Sequence, residues 1–122
     1  MEILLDTHIL LWHLADNPRL KKAKSKIIED PKNKIFYSII SLWEIAIKTS
    51  IGKLEISQPI AGLIPKEIYL LDLKVEHIQI VKELAFHHKD PFDRLLIAQA
   101  MEENLSIMTN DAYFENYRIE LV

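Results

Sequence analysis

Four acidic residues, widely separated along the chain, stand where carboxylates could bind one metal ion together. They are Asp6, Glu44, Asp93 and Asp111. Asp6 ends a short apolar run, and Asp111 follows a similar run with one residue between. Glu44 lies near the start of the helix predicted after the second strand, and Asp93 begins the helix that leads into the fourth. Since sites of open α/β sheets form beyond the carboxyl ends of the strands, the four side chains are expected to face one region.

Asp93 lies on the side of its helix that should be buried. That side continues through Leu96, Ile97, Ala100 and Met101. Asp90 is available as the helix cap, and Pro91 suits the first helical position, so Asp93 is not needed there. Glu44 sits in an apolar stripe of its own helix in the same way. Because burying an ionised carboxylate is costly without compensation, both acids predict a nearby cation or donor.

A divalent cation is the compensation that the pattern favours. No Lys or Arg lies within the two apolar stripes, and Mg²⁺ and Mn²⁺ prefer oxygen ligands. Such an ion can activate water and neutralise charge on a phosphoryl oxygen, which favours phosphodiester hydrolysis without a protein nucleophile. The chain has neither a P-loop nor a GxGxxG motif. Taken singly, each acid also has a structural interpretation, because Asp6, Asp90 and Asp111 stand at cap positions and Ser41 to Glu44 fits a capping box.

The elements that must position these acids alternate along the chain. Apolar strands are predicted at 2–5, 34–38, 68–73, 106–109 and 118–122, and helices at 7–15, 21–30, 40–52, 75–88, 91–105 and 111–117. This alternation predicts an α/β fold with a parallel sheet covered on both faces. The 122 residues suffice for a single domain over 1–122.

Composition excludes several classes of site. The chain has no cysteine, which rules out a disulfide scaffold, a thiolate zinc site and a cysteine nucleophile. The apolar start "MEILLDTHILLW" has no basic flank and contains Asp6, so neither a signal peptide nor a membrane span is expected, and a cytoplasmic protein is the simplest interpretation. The net charge of −3 does not attract polyanions, so any nucleic acid must contact a local basic patch, such as 19–26, or a bound cation.

Four segments, in this order and over this length, resemble the PIN-domain ribonucleases, and more narrowly the VapC-like toxins of type II toxin–antitoxin pairs. The segments are "LLDTHILLW", "SLWEIAIK", "DPFDRLLIAQA" and "TND". The resemblance covers nearly the whole chain. It implies a three-layer α/β/α fold with about five parallel strands in the order 3-2-1-4-5. It also implies Mg²⁺- or Mn²⁺-dependent endonuclease cleavage of RNA, a homodimer, and inhibition by a small antitoxin inserted over the active site.

The resemblance also assigns roles to the site residues. It makes Asp6 and Asp93 the main metal ligands, with Glu44 and Asp111 completing the site, partly through waters. Asp90 belongs to the motif but is not a principal ligand. Two hydroxyls, those of Thr7 and Thr109, are expected to support the ligands.

Other polar and aromatic residues near these motifs have two interpretations each. Arg94 could grip a phosphate or pair with a neighbouring acid. His87 and His88 are expected at a solvated helix end, with contact to RNA or proton donation as the alternative. Trp12 and Trp43 are expected in the core or at a dimer contact.

Two other functions remain open on the residues alone. The first is a metal-dependent phosphatase or phosphotransferase on a similar sheet, with Asp6 as nucleophile. One such enzyme class would need a second acid two residues later, where this chain has His8. The second is a non-catalytic interaction domain in which the acids only cap helices.

Overall fold

The computed structural model describes all residues from 1 to 122. Its elements are β1 (Glu2–Leu5), α1 (Thr7–Leu14), α2 (Lys22–Glu29), β2 (Lys34–Ser38), α3 (Ile39–Ser50), β3 (Tyr69–Leu71), α4 (Val75–Glu83), α5 (Pro91–Glu103), β4 (Ser106–Met108) and a 3₁₀ helix at Ala112–Asn116. The order matches the predicted alternation, with most bounds displaced by one or two residues. None of the helices is long and apolar enough to cross a membrane.

The strands form one parallel sheet in the order β3-β2-β1-β4. The α/β prediction and the predicted order are therefore confirmed for these four strands. The predicted strand at 118–122 is reduced to a single bridge between Leu121 and Ile107, beside β4 where the fifth strand was expected. Only two backbone hydrogen bonds support it, from Ile107 N to Glu120 O and from Val122 N to Ile107 O.

Strand β1 lies at the centre and sends alternate side chains into two cores. Ile3 and Leu5 belong to one core, and Leu4 belongs to the other; all three are fully buried. Helix α1 packs into the first core and α5 into the second, through Ile9 and Leu96 respectively. Both faces of the sheet are covered, so the carboxyl end of β1 opens into the space between the two helical layers.

Helix α4 ends at Glu83, five residues before the predicted end at His88. Leu84 is extended, with φ −70° and ψ 133°, and the chain then runs as a loop to Asp90. The Arg94 side chain explains why this loop is stable. Its guanidinium donates to the carbonyl oxygens of Val81, Leu84, Ala85 and His88, and these four hydrogen bonds replace the ones that a longer helix would have made.

The two tryptophans differ in their surroundings. Trp12 is half-buried and packs against the first core. Trp43 is 56% exposed, and its ring meets the edge of Phe92 with 5.3 Å between centroids. A core position for Trp43 is therefore wrong, because its side of α3 faces solvent.

Candidate active site

Asp6 lies directly after β1 and is almost completely buried, with 4% of its surface exposed. Its backbone N–H continues the sheet by donating to Met108 O. One carboxylate oxygen, Oδ1, caps α1 by accepting from Ile9 N at 2.8 Å, and Oδ2 accepts from the Thr109 hydroxyl. Burial raises the pKa of Asp6, while these two hydrogen bonds act in the opposite direction. Asp6 is thus both a helix cap and an acid fixed at the end of the central strand.

Asp93 lies in the first turn of α5, behind the cap residue Asp90. Asp90 Oδ1 accepts from Phe92 N at 2.8 Å and from Asp93 N at 3.0 Å, so the helix start does not use the Asp93 carboxylate. Burial, followed by the charges of Asp90, Asp6 and Glu44, raises the pKa of Asp93 to about 7. Three other acids are therefore close enough to Asp93 to disfavour its ionised form.

Glu44 lies in α3 with only 3% of its surface exposed. Its Oε2 accepts from Lys48 Nζ at 2.6 Å, one turn along the helix. The expectation that no basic side chain reaches this stripe is therefore wrong, because Lys48 bends back from the edge of the helix. The other oxygen, Oε1, is buried without any hydrogen-bond partner. One lysine thus satisfies half of this carboxylate and leaves the other half available to a ligand.

Asp111 follows β4 and caps the 3₁₀ helix. Its Oδ1 accepts from Tyr113 N at 3.0 Å, and its own N–H donates to the Thr109 hydroxyl at 2.9 Å. Its Oδ2 lies 3.0 Å from Nε2 of His88. The charge of Asp111 contributes to the raised pKa of Asp6, which places these two acids near each other.

His88 belongs to the site, although the sequence predicted it at a solvated helix end. Its Nε2 lies 3.0 Å from Asp93 Oδ2 as well as from Asp111 Oδ2. The nitrogen and the two carboxylates offer three ligand atoms within 4.8 Å of one another. The predicted solvated helix end is wrong for His88, because α4 stops early and the following loop turns towards the start of α5. Its position just before the cap residue Asp90 was the available signal.

The two threonines do not share a role. The Thr109 hydroxyl contacts Asp6 and Asp111, as described above. The Thr7 hydroxyl instead lies 2.9 Å from the Ser41 hydroxyl in a buried contact between α1 and α3. Thr109 is therefore in a position to orient acids of the site, and Thr7 joins two helices.

Two basic residues lie near the acids with different partners. Lys24, from the basic stretch at 19–26, donates from Nζ to Thr109 O at 2.9 Å and to Asn110 Oδ1 at 2.7 Å. Burial lowers the pKa of Lys24, and the nearby charge of Asp6 acts in the opposite direction. Arg94 is buried and its guanidinium lies 4.2 Å over the Phe86 ring, with its donors taken by backbone carbonyls. Arg94 thus has no contact with an acid and supports the loop, whereas Lys24 lies at the edge of the site.

The donor set fits a hard divalent cation. Four carboxylates from four separate segments converge, and burial raises the pKa of two of them, Asp6 and Asp93. The buried Glu44 Oε1 has no donor. Four carboxylates outnumber the two lysines, Lys24 and Lys48, that reach the site, so the cluster retains an excess of negative charge. Oxygen ligands with such an excess are those that Mg²⁺ and Mn²⁺ prefer.

Comparison with known proteins gives relatives of the same length and fold. A family model described as PIN domain matches residues 3–120. Ribonuclease VapC22 of Mycobacterium tuberculosis is 26% identical over 127 residues, which cover 95% of this chain and 92% of that protein. The structure of VapBC2 from Rickettsia felis bound to a promoter DNA fragment matches with a TM-score of 0.74 and 18% identity, over 100% of this chain and 98% of that chain. DNA-bound VapBC from Salmonella typhimurium gives a TM-score of 0.73 and 20% identity, over 100% and 97%.

Proposed function

We propose a function for this chain, which belongs to the PIN domain family: it is a divalent-metal-dependent endoribonuclease and the toxin of a type II toxin–antitoxin pair. The observation that carries the proposal is the convergence of four acids at the carboxyl end of the sheet, two of them almost fully buried. The relative named as a ribonuclease supports the reaction. The matching VapBC structures support an antitoxin as partner.

The acids Asp6, Glu44, Asp93 and Asp111 would hold Mg²⁺ or Mn²⁺. When bound, the ion would supply activation of water and neutralisation of charge on the scissile phosphate. The raised pKa of Asp93 supports this assignment, because a group that resists ionisation alone gains most from a nearby cation.

The remaining residues of the site hold the acids in place and set the charge around them. Thr109 and the Ile9 N–H fix both oxygens of Asp6. Lys48 fixes one oxygen of Glu44, and the other is buried without a hydrogen-bond partner. Lys24 adds a positive charge beside the acids, where an RNA phosphate can be attracted. In this arrangement the protein orients ligands and substrate, and no side chain is required as a nucleophile.

The phosphotransferase alternative is less well supported by the geometry. A nucleophilic aspartate needs an exposed oxygen that a phosphoryl group can approach, whereas a metal ion needs only a remaining lone pair of the carboxylate. Both oxygens of Asp6 accept hydrogen bonds, and the side chain is almost fully buried. The purely structural alternative leaves the buried Glu44 Oε1 without explanation.

RNA as substrate, a homodimer and a cytoplasmic location belong to the same proposal. The chain's net charge of −3 makes the bound ion and Lys24 the main attractions for RNA. A small antitoxin that covers the acids would block this access.

The test is cleavage of RNA by the purified protein, with and without EDTA, for wild type, Asp6→Asn and Asp93→Asn. The matched control is Glu103→Gln, an acid on the same helix as Asp93 that contacts His77 and Lys74. We expect cleavage by wild type and the control in Mn²⁺, loss with EDTA, and loss in both site variants. Cleavage that survives EDTA, or that survives both site substitutions, contradicts the proposal.

A further inference from the structure

The ring of His88 has a defined hydrogen-bonding direction. Its Nδ1 accepts from the backbone N–H of Asp90 at 3.4 Å. In a neutral ring this leaves the hydrogen on Nε2, which donates to Asp111 Oδ2 at 3.0 Å. Asp93 Oδ2 lies at the same distance from Nε2. The N–H is therefore directed to Asp111, and the Asp93 oxygen lies in contact beside it.

The ring is also held firmly. The backbone N–H of His88 donates to the Tyr117 hydroxyl at 2.8 Å, and its carbonyl accepts from Arg94 Nη1 at 3.2 Å. The ring packs against Tyr113 and Phe114, with centroids 5.2 and 5.8 Å away. Only 11% of the side chain is exposed. Backbone and ring are thus fixed independently of the acids they face.

The two carboxylates would otherwise repel each other. Asp93 begins α5 and Asp111 follows β4, and like charges at this separation disfavour a close approach. His88 lies between them, with its Nε2 hydrogen-bonded to Asp111 and in contact with Asp93. The Nδ1 contact with Asp90 N–H argues against Nε2 as a direct metal ligand, because ligation would move the ring hydrogen to Nδ1, opposite another N–H.

We infer that His88 is a positioning residue, whose Nε2–H holds the Asp111 carboxylate and keeps it beside Asp93, so that both carboxylates are in place before the divalent ion binds. The inference rests on the proposed function, because it concerns the ion that these acids would hold. It adds to that function a residue that acts through the ligands.

The test measures Mn²⁺ affinity by titration followed by electron paramagnetic resonance, without any RNA. We expect His88→Ala to weaken Mn²⁺ binding by about tenfold, the lower end of what loss of a partner behind metal ligands costs. His88→Gln should retain most of the affinity, because the Gln amide N–H can donate from nearly the same place. His13→Ala, at a histidine in the last turn of α1, is the control and should leave the affinity unchanged.

A double-variant comparison separates positioning from a general effect on folding. If His88 acts through Asp111, His88→Ala combined with Asp111→Asn loses less affinity than the product of the two single losses. A general loss of structure would instead lower the affinity for Mn²⁺ regardless of Asp111. If His88→Ala has no cooperative thermal transition, His88→Asn replaces it, since its amide is too short to reach both carboxylates and the same tenfold loss is expected.

Three results would overturn the inference. They are unchanged or tighter Mn²⁺ binding by His88→Ala, failure of Gln to restore binding, and a nitrogen coupling in the Mn²⁺ spectrum that His88→Ala removes, which would make His88 a direct ligand. In each of these the wild type binds Mn²⁺ and the proposed function stands. If the wild-type protein binds no Mn²⁺ at all, the proposed function fails together with the inference.

Discussion

A histidine contacts a carboxylate at each end of α4. In both contacts Nδ1 accepts from a backbone N–H and Nε2 faces the carboxylate. At the beginning of the helix, His77 accepts from Lys74 N at Nδ1 and its Nε2 lies 2.8 Å from Glu103 Oε2. Beyond the end of the helix, His88 accepts from a backbone N–H at Nδ1, and its Nε2 faces carboxylates at 3.0 Å. The local geometry alone would not distinguish the two.

The charge around each histidine does distinguish them. Glu103 receives hydrogen bonds from His77 and from Lys74 Nζ, and these donors lower its pKa. Asp93 is more deeply buried and lies near other acids, so its pKa is raised to about 7. One contact is balanced and joins α4 to α5, whereas the other retains negative charge that a cation can neutralise. A histidine–carboxylate pair therefore indicates function only when its surroundings leave charge uncompensated.

The strongest test of this comparison is to neutralise one acid at each contact. We expect Asp93→Asn to reduce RNA cleavage by more than the roughly 10–100-fold that loss of an outer partner costs, because a ligand is removed. Glu103→Gln should leave cleavage unchanged. Single-turnover cleavage rates in Mn²⁺ compare the two variants. An equal loss of rate in both would contradict a functional role for the Asp93 contact alone.

For the stability of the fold, the Glu103 contact should matter more than the Asp93 carboxylate. Glu103→Ala leaves the buried Nε2–H of His77 without an acceptor, so we expect the free energy of unfolding to fall by about 1–3 kcal/mol. Asp93→Asn should raise the melting temperature in EDTA, because it removes a buried charge from an acidic cluster. Urea and thermal unfolding measure the two effects. A lower melting temperature for Asp93→Asn in EDTA would mean that the carboxylate stabilises the fold.

Substitution of the two threonines should have a smaller effect, on Mn²⁺ affinity, and should again separate a residue of the site from a residue of the fold. Thr109→Val removes the hydroxyl that donates to Asp6, and we expect about tenfold weaker Mn²⁺ binding. Thr7→Val, which breaks only the contact with Ser41, is the matched control. Titration with Mn²⁺ compares them, and an equal loss in Thr7→Val would show that the effect comes from packing between helices.

The pH dependence of stability should have opposite signs at the two contacts. The pKa of Asp93 is about 7 in the folded chain and 3.8 ordinarily, so between these values the folded state binds more protons and stability in EDTA falls as pH rises. Glu103 has a lowered pKa, so the stability it contributes is present above its ordinary pKa and is lost as pH falls through the folded value. Urea unfolding across this range, repeated with Asp93→Asn, measures the first effect. A slope that is unchanged by Asp93→Asn would assign it to another group.

Much of the fold could be predicted from the sequence because its signals are local. The strand at 34–38 has the predicted bounds, and the alternation predicted the parallel sheet, whereas the order of the four paired strands was implied by the family resemblance. The end of α4 could not be predicted, because it depends on Arg94, which binds carbonyls ten and more positions earlier in the chain. The last segment is apolar enough for a strand, yet only Leu121 aligns with β4.

For the site as well, local patterns predicted individual residues but not the contacts between distant segments. Helical periodicity identified Asp93 and Glu44 as acids turned inward, and both are among the acids that the structure brings together. Lys48 was visible as a residue one turn from Glu44, but whether it bends back depends on packing. The contacts of His88 require the loop after α4 to reach the start of α5; the closeness of His88 to Asp90 in the sequence hints at this, but no local pattern predicts the direction in which the loop turns.

The hydrogen bond between Thr109 and Asp6 joins residues 103 positions apart. During synthesis, β1 leaves the ribosome long before β4, its neighbour in the sheet. A nascent chain stopped before Ser106 therefore has one open edge on its central strand and lacks both Thr109 and Asp111. Interrupted translation before this point would therefore release fragments without a complete acidic site.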